Sequence, residues 1–561
     1  MKRNFIRSFS RNLIGITALF LLLGAGSVLA DVINVPGDYG LIHDAVQAAG
    51  PGDTVLVAAG TYTDCTHETE GPESTPACVI MQPGVTLRGA GPLSTIIDAQ
   101  GLGRGIFVED TDDVVIENLQ VRNAYAEIYG AGILVRQNSS GVELRGLRIE
   151  ANGDGGIVLI DNSVGLLENI EFVGNEAKQG GGLAIEEGCT ATVVGCLFDD
   201  NTAPSGAGVF IRSQCTVTMT GCVITNNVIN ANFGNGGGIL VQDSQCDIAG
   251  CDIRGNSTKG GGGGLAYISG ATGIVENCDI IGNTTQANYN YGGGISCQSS
   301  GPTFRNLRIV DNHAATIGSG GGGIDVQFNP APTIEHCTLV GNSCFDPTDP
   351  DDPGIGGGIL VQWGAAPQID NCIVAGTTVG AGINNLGATG FTVTGCNVWN
   401  NAGGDGISGI DGGCNFSADP MFCNAGEGNY RIESDSPCVA GNHPDGGCGT
   451  SYCGAYAGGC GNAVSDLPIA GVLLGNTPNP FNPQTTIFFV LDAPGDVVVR
   501  IHDLRGHTLR TFHRDGAAAQ TRYEIRWDGR DQDGRSLPSG VYLYQLETNG
   551  HSTSKRMSLI R

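Results

Sequence analysis

A chain of 561 residues has room for more than one domain and a large core, and its formal charge of −28 removes nucleic acid and anionic membrane surfaces as partners, because phosphate recognition needs a basic face. Its 92 glycines show no Gly-X-Y period, which excludes collagen and leaves a repeat that needs tight backbone at fixed places.

The chain opens on the basic stretch MKRNFIRSFSRN, followed by the apolar LIGITALFLLLGAG and a small-residue pattern with Val28 and Ala30. This order predicts a secretory signal peptide over residues 1–30, and hence an extracellular or bacterial cell-surface location. No later apolar run reaches the roughly 20 residues that a membrane-spanning helix needs, so no transmembrane segment is expected in the mature chain.

A Gly-Gly-apolar anchor then recurs at Ile133, Ile157, Leu183, Val209, Ile239, Leu265, Ile295, Ile324, Ile359 and Ile383, every 24 to 35 residues. A second anchor follows each first one, at Leu147, Ile170, Cys196, Cys222, Cys251, Cys278, Leu307, Cys337, Cys372 and Cys396. Three residues before each second anchor lies a third apolar run, and five residues after it most repeats place an asparagine, from Asn152 and Asn175 to Asn342 and Asn401. Each repeat therefore predicts three short strands with alternating inward and outward residues. A strand-like period of about 25 residues predicts an all-β, parallel β-helix of about ten to twelve coils. The recurring cysteines share a column with leucine and isoleucine, so they are expected as buried thiols; disulfides between coils are geometrically open, and a zinc set is not indicated by the spacing. The asparagines are expected to form a hydrogen-bonded ladder inside the turns.

Residues 411–460 hold six cysteines in loop-rich sequence and predict a disulfide-bearing end cap on the last coil, while Cys65 and Cys78 suit a separate loop closure. A linker is expected over 461–471. From 472 to 561 the chain has no cysteine, and six or seven short alternating strands predict a small β-sandwich.

Two outward ladders carry candidate chemistry. Beside the cysteine column run Glu171, Leu197, Val223, Asp252, Asp279, Arg308 and Thr338, with Arg254 next to Asp252. Asp252, Asp279, Arg254 and Arg308, together with Asp325, are the catalytic candidates, supplying carboxylates for acid and base roles and guanidinium groups to bind uronates. A solvated charge ladder is the alternative. After the glycine anchor come Gln242, Gln298, Gln327 and Gln362, then Phe328 and Trp363, with Tyr267 on an adjoining coil. Amides suit sugar hydroxyls and aromatic faces suit sugar rings, and the longest insertions enter this same strand and would wall a groove. The alternative here is a glutamine ladder that only stabilises stacked strands. Asp346, Asp349, Asp351 and Asp352 in one insertion offer oxygen ligands to calcium, set against a plain extended loop imposed by neighbouring prolines.

The stretch INVPGDYGLIHDAVQAAGPGDTVLVAAGTYTD, then VIMQPGVTLRGAG and the coils, resembles the pectin-lyase-like, right-handed parallel β-helix superfamily. The resemblance implies a right-handed helix over residues 31–410, with HDAVQAA as its N-terminal capping helix. It does not imply an activity: neither the paired aspartates with Gly-His-Gly of polygalacturonases nor the Asp-Pro-His of alginate epimerases is present. In the last unit, NTPNPFNPQTTIFF, IHDLRGHTLRTF, WDGRDQDGR and SGVYLYQLETNG resemble the FlgD-like immunoglobulin fold and the type IX secretion sorting domain, which implies secretion or attachment machinery as a partner. The expected function is a secreted or surface protein that binds extracellular polysaccharide or a surface glycan. A polysaccharide lyase or glycoside hydrolase, and a structural or adhesive surface protein without a small ligand, are the competing readings.

Overall fold

The computed structural model describes residues 30–460 apart from 70–74, 128–129, 287–290, 316–319, 329–330, 346–354, 446–447, 449–451 and 456–459, and residues 472–559 apart from 478–480, 482, 492–493, 503–506, 518–521 and 549–550. The expected signal peptide, the linker at 461–471 and the four aspartates of the calcium candidate, Asp346, Asp349, Asp351 and Asp352, lie outside the described residues.

Three parallel sheets run the length of the repeat. Sheet I has 15 strands, from Val32–Val35 to Ile410–Asp411; sheet II has 13, from Gly60–Tyr62 to Asn397–Trp399; sheet III has 12, from Ala77–Ile80 to Ala381–Leu386. Each coil visits sheet III, then sheet I, then sheet II, and each strand pairs with its equivalents in the coils on either side. The Gly-Gly-apolar anchors fall in register on sheet III, Ile239 beside Leu265, Leu265 beside Ile295 and Ile295 beside Ile324. A fourth sheet of six two- or three-residue strands, from Thr202–Ala203 to Ser343–Phe345, adds a side to the middle coils. Segments so short carry no periodicity that sequence alone can reveal.

The glycine before each sheet III strand has a steric reason. A Cβ on Gly182, Gly208 or Gly238 would fall 2.7, 2.6 and 2.6 Å from the carbonyl oxygen of the glycine one coil further on, well inside van der Waals contact. Inward residues of all three sheets form one continuous apolar core, closed at its N-terminal end by the helix Ile42–Ala48, which buries Ile42, Ala45 and Val46. The cysteines of the second anchor sit at the corner between sheets I and II. Cys196, Cys222, Cys251 and Cys278 are 0 to 2% exposed, with no disulfide among them. Burial raises the thiols of Cys196, Cys246, Cys372 and Cys396 well above the ordinary value.

Behind the corner after sheet II, the asparagine ladder is continuous from Asn152 to Asn342. Each Nδ2 donates to the Oδ1 of the next asparagine, at 2.9 to 3.0 Å. The same Oδ1 also accepts the backbone N–H of the preceding asparagine, as Asn256 Oδ1 does from Asn227 at 3.0 Å. A second Nδ2 bond reaches a strand carbonyl, as from Asn256 to Ile224 at 2.9 Å. From Asn175 to Asn312 both amide hydrogens and both oxygen lone pairs are thereby satisfied within the protein, which is the condition for burying an amide.

Disulfides join Cys65 to Cys78, Cys414 to Cys448 and Cys423 to Cys460. The cysteine-rich segment does more than sit on the last coil: it runs back along the outer face of sheet II. Arg308 Nη1 donates to the Gly428 carbonyl (3.1 Å), Ala455 N–H donates to Thr338 Oγ1 (2.9 Å), and Ile432, Cys438 and Cys453 pack on Ile373 and Ala375. Nothing periodic announces this return, since its two hydrogen bonds to sheet II join positions 120 and 117 residues apart.

Residues 472–559 form two antiparallel sheets, of three and four strands, whose inward side chains make a single apolar cluster around Phe489, Val499, Trp527, Tyr544 and Met557.

Asn256→Ala removes two donors and two accepted bonds from a dry ladder. It is expected to lower the unfolding free energy by about 2 kcal/mol or more, measured by denaturant titration. The cysteine column is expected to resist alkylation in the native protein and to react on unfolding; labelling of Cys222 or Cys251 before unfolding contradicts the buried assignment.

Candidate functional site

From Ile133 to Ile359, the residue at each Gly-Gly-apolar anchor and the one two places later point into the core, while the residues just after each of these point outward. In the early coils the outward second position is apolar: Leu134, Val158, Ala184, Phe210, Leu240 and Ala266 form their own cluster on the outside of the sheet. The character then changes. The next outward pairs are Ser296 and Gln298, Asp325 and Gln327, and Leu360 and Gln362, in register across three adjacent strands. Gln242 belongs to the same column but is separated from Gln298 by Ile268, so the glutamine ladder is unbroken only from Gln298 to Gln362.

Asp325 organises this patch. Its Oδ1 accepts from Gln327 Nε2 (3.0 Å), and its Oδ2 accepts from Gln362 Nε2 (2.7 Å) and from the Gly321 backbone N–H (3.1 Å). Asp325, Gln327 and Gln362 have no exposed surface, and burial pushes the Asp325 carboxyl up to about 7 despite the three bonds that favour its charge. With both amide nitrogens engaged by the carboxylate, Gln327 Oε1 and Gln362 Oε1 are buried acceptors without a hydrogen-bond partner. Buried acceptors of this kind are uncommon in folded proteins. Gln298 Nε2 donates to Ser296 Oγ at 3.2 Å.

The residue after each of these strands turns the chain toward sheet I in the left-handed region. Six successive coils use Asp161, Glu187, Ser213, Asp243, Ser269 and Ser299, with φ between 46° and 62°. The next two use Phe328 (φ 64°) and Trp363 (φ 45°). Aromatic residues are poorly suited to this region, where the short polar residues of the other coils can bond locally. The two rings stack on each other, centroids 5.0 Å apart at 26°, and Tyr291 meets Trp363 edge-on at 5.5 Å. Phe328 stays 46% exposed and Trp363 38%. The result is an outward aromatic platform at the rim of the polar patch.

Tyr267 does not belong to it. It is the third residue of its strand, so it points into the core, where it is fully buried and its hydroxyl donates to the Cys246 carbonyl at 2.6 Å. The groove assignment made for it on aromatic character is corrected by strand parity.

The charged ladder lies on sheet II, a different face. Asp252 and Asp279 are register neighbours, as are Asp279 and Arg308. Asp252 accepts from Arg254 Nε (2.6 Å), and Arg308 grips Asp279 with Nε (2.8 Å) and Nη2 (2.7 Å). Burial raises the Asp252 carboxyl against the pull of Arg254. Each carboxylate is thus held by a guanidinium of its own ladder, Arg308 is also held by the returning segment, and Asp325 belongs to sheet III. The five catalytic candidates do not converge on one cavity.

The fold favours the protonated Asp325, since its folded value lies near 7 and the ordinary value is 3.8, so this group withdraws stability as pH rises between them. The melting temperature of Asp325→Asn, taken relative to the unsubstituted protein, is expected to rise from about pH 5 to about pH 8. A difference that does not change with pH contradicts a buried, titrating carboxyl.

Comparison with known proteins agrees with the topology. A family model described as a right handed beta helix region matches residues 94–253 and 228–374, which together span half of the chain. Among solved structures, the mannuronan C-5 epimerase AlgE6 A-module of Azotobacter vinelandii is 17% identical, over 67% of this chain and 93% of that one, with a TM-score of 0.34. The PL6 family alginate lyase AlyGC is 14% identical, over 72% and 55%, with a TM-score of 0.39. PorU of Porphyromonas gingivalis is 25% identical over 16% of this chain, with a TM-score of 0.15; this chain spans 9% of PorU and 11% of PorZ from the same organism. No curated protein sequence matches the chain. Register, sheet order and family model agree, and the chain belongs to the right-handed β-helix family.

Proposed function

We propose that this protein binds extracellular polysaccharide on the sheet III face, with the exposed Phe328–Trp363 platform as the contact surface and the half-buried Gln298 beside it; Gln327 and Gln362 are fully buried and support the platform from beneath. The observation that carries the reading is the placing of two stacked, exposed aromatic rings at left-handed turn positions that six preceding coils give to small or acidic residues. Core packing does not explain them, because both rings point outward. Stacked aromatic faces offer apolar contact to the C–H faces of sugar rings, and amides beside them suit hydroxyl groups.

In this reading residues 1–30 direct export, 31–410 form the binding solenoid, 411–460 brace its C-terminal coils, and 472–561 form an immunoglobulin-like sorting or attachment unit joined by the linker 461–471. Three disulfides suit an oxidising compartment outside the cytosol. The two antiparallel sheets with a shared core, together with the FlgD-like motifs, support the last assignment. Among the described residues no helix is long and apolar enough to cross a membrane.

The test is affinity electrophoresis and calorimetry of the mature protein against a polysaccharide panel. Trp363→Ala and Phe328→Ala are each expected to weaken binding of the retained polymer about tenfold, close to 1.4 kcal/mol, while the melting temperature changes little. Undiminished binding by both variants removes the platform from the site.

A further inference from the structure

We infer that Cys438 and Cys453 are a site of oxidation, where a third disulfide of the cysteine-rich segment closes and makes that segment a covalent clasp over the last three strands of sheet II. Four of the six cysteines between 411 and 460 are joined in the structure, Cys414 to Cys448 and Cys423 to Cys460. The other two carry thiols, and they lie side by side. The Cys453 N–H donates to the Cys438 carbonyl at 3.0 Å, and the Cys453 thiol approaches the same carbonyl at 3.8 Å. A backbone bond of that length keeps the two Cα atoms inside the roughly 4.4–6.8 Å that a disulfide spans. The two thiols also hydrogen-bond to each other. The column cysteines stand differently. Cys196, Cys222, Cys251 and Cys278 hold equivalent positions on successive coils, roughly 4.7–4.9 Å apart with side chains parallel. That is farther than the roughly 3.5–4.5 Å between the Cβ atoms of a disulfide, and leucine or isoleucine fills the same column in other coils.

The contacts on either side of the pair define what the bond ties together. Cys438 Sγ accepts from Asn397 Nδ2 at 3.2 Å. Directly after Cys453, the Gly454 N–H donates to the Asn371 carbonyl (2.8 Å) and the Ala455 N–H to Thr338 Oγ1 (2.9 Å). Thr338, Ile373 and Asn397 are register neighbours on three consecutive strands, and both cysteines pack on Ile373. One covalent link therefore joins the anchor on the last of these strands to the anchor on the first. Both thiols are buried in the docked segment, so the oxidant reaches them before the segment settles on sheet II. That oxidant is a disulfide-bearing donor, the class of reagent that an oxidising compartment supplies. One cysteine thiolate attacks a donor sulfur and releases the other donor sulfur as a thiolate, and the second cysteine thiolate then displaces the donor from the first. Two protein thiols become one disulfide, the donor disulfide becomes two thiols, and the two protons pass from the cysteines to the donor sulfurs.

The test is disulfide mapping of the full chain. The protein is refolded in a mixture of oxidised and reduced glutathione, quenched with acid, alkylated in denaturant without further reductant and digested for mass spectrometry. A peptide pair linked through Cys438 and Cys453 is expected, and the intact mass is expected to show two alkyl groups fewer than the 14 thiols of the structure. Alkyl groups on both Cys438 and Cys453, in protein whose Cys414–Cys448 and Cys423–Cys460 bonds are intact, overturn the site. Linkage of either residue to a different cysteine overturns it equally. The clasp is read separately, by amide hydrogen exchange in Cys438→Ala, which leaves Cys453 and its neighbours unaltered in sequence. Gly454 and Ala455 are expected to exchange about tenfold or more faster in this variant than in the oxidised, unsubstituted chain. Equal rates overturn the clasp.

Discussion

Stacking of equivalent residues between coils is the constraint from which everything else in this molecule follows. A parallel solenoid gives each strand two identical neighbours, so any polar group placed inside must find its partner in the next coil or remain unsatisfied. The asparagine ladder solves this at one corner with two donated and two accepted bonds per residue, and the glycines before sheet III let backbones approach where a side chain would collide. Elsewhere inside, thiols and aliphatic side chains exchange freely, because the corner beside sheets I and II asks only for small apolar volume. The core is thus specified by size and the turns by hydrogen bonding.

Once coils are locked in register, their outward positions are released from structural duty. Sheet III shows what can be done with that freedom: an apolar outer stripe over the early coils, then a polar patch organised by Asp325, then an aromatic rim. On sheet II the same freedom is used for ion pairs, where Arg254, Arg308 and their carboxylates neutralise one another and add little that is available to a ligand. The two faces thus differ: one has its charges matched, and the other leaves two stacked rings exposed.

Much of this was legible in the chain because it is periodic. The anchors at Ile239, Leu265 and Ile295, the column of Cys222, Cys251 and Cys278, and the asparagines from Asn152 to Asn342 recur at spacings that only a stacked coil explains. What escaped was local or long-range. Tyr267 was placed outward because it is aromatic, although its position two residues after Leu265 puts it inward. The glutamines were legible as a ladder, but the burial of Gln327 and Gln362 and their bonds to Asp325 depend on neighbouring coils. The left-handed turn that makes Phe328 and Trp363 unusual shows only when their equivalents in eight coils are compared by backbone angle. The return of residues 419–455 along sheet II left no periodic trace at all.

That return also decides how the molecule carries tension. A solenoid pulled from its final residue peels one coil at a time, each rupture breaking only a single coil's bonds. Here a pull from the C-terminal unit arrives at Cys460, crosses its disulfide to Cys423 and enters the hairpin whose Gly428 carbonyl is held by Arg308 and whose Ile432 packs on Ile373. The attachment point of the C-terminal unit is thereby anchored not to the last coil alone but also to the coils that carry Arg308 and Ile373.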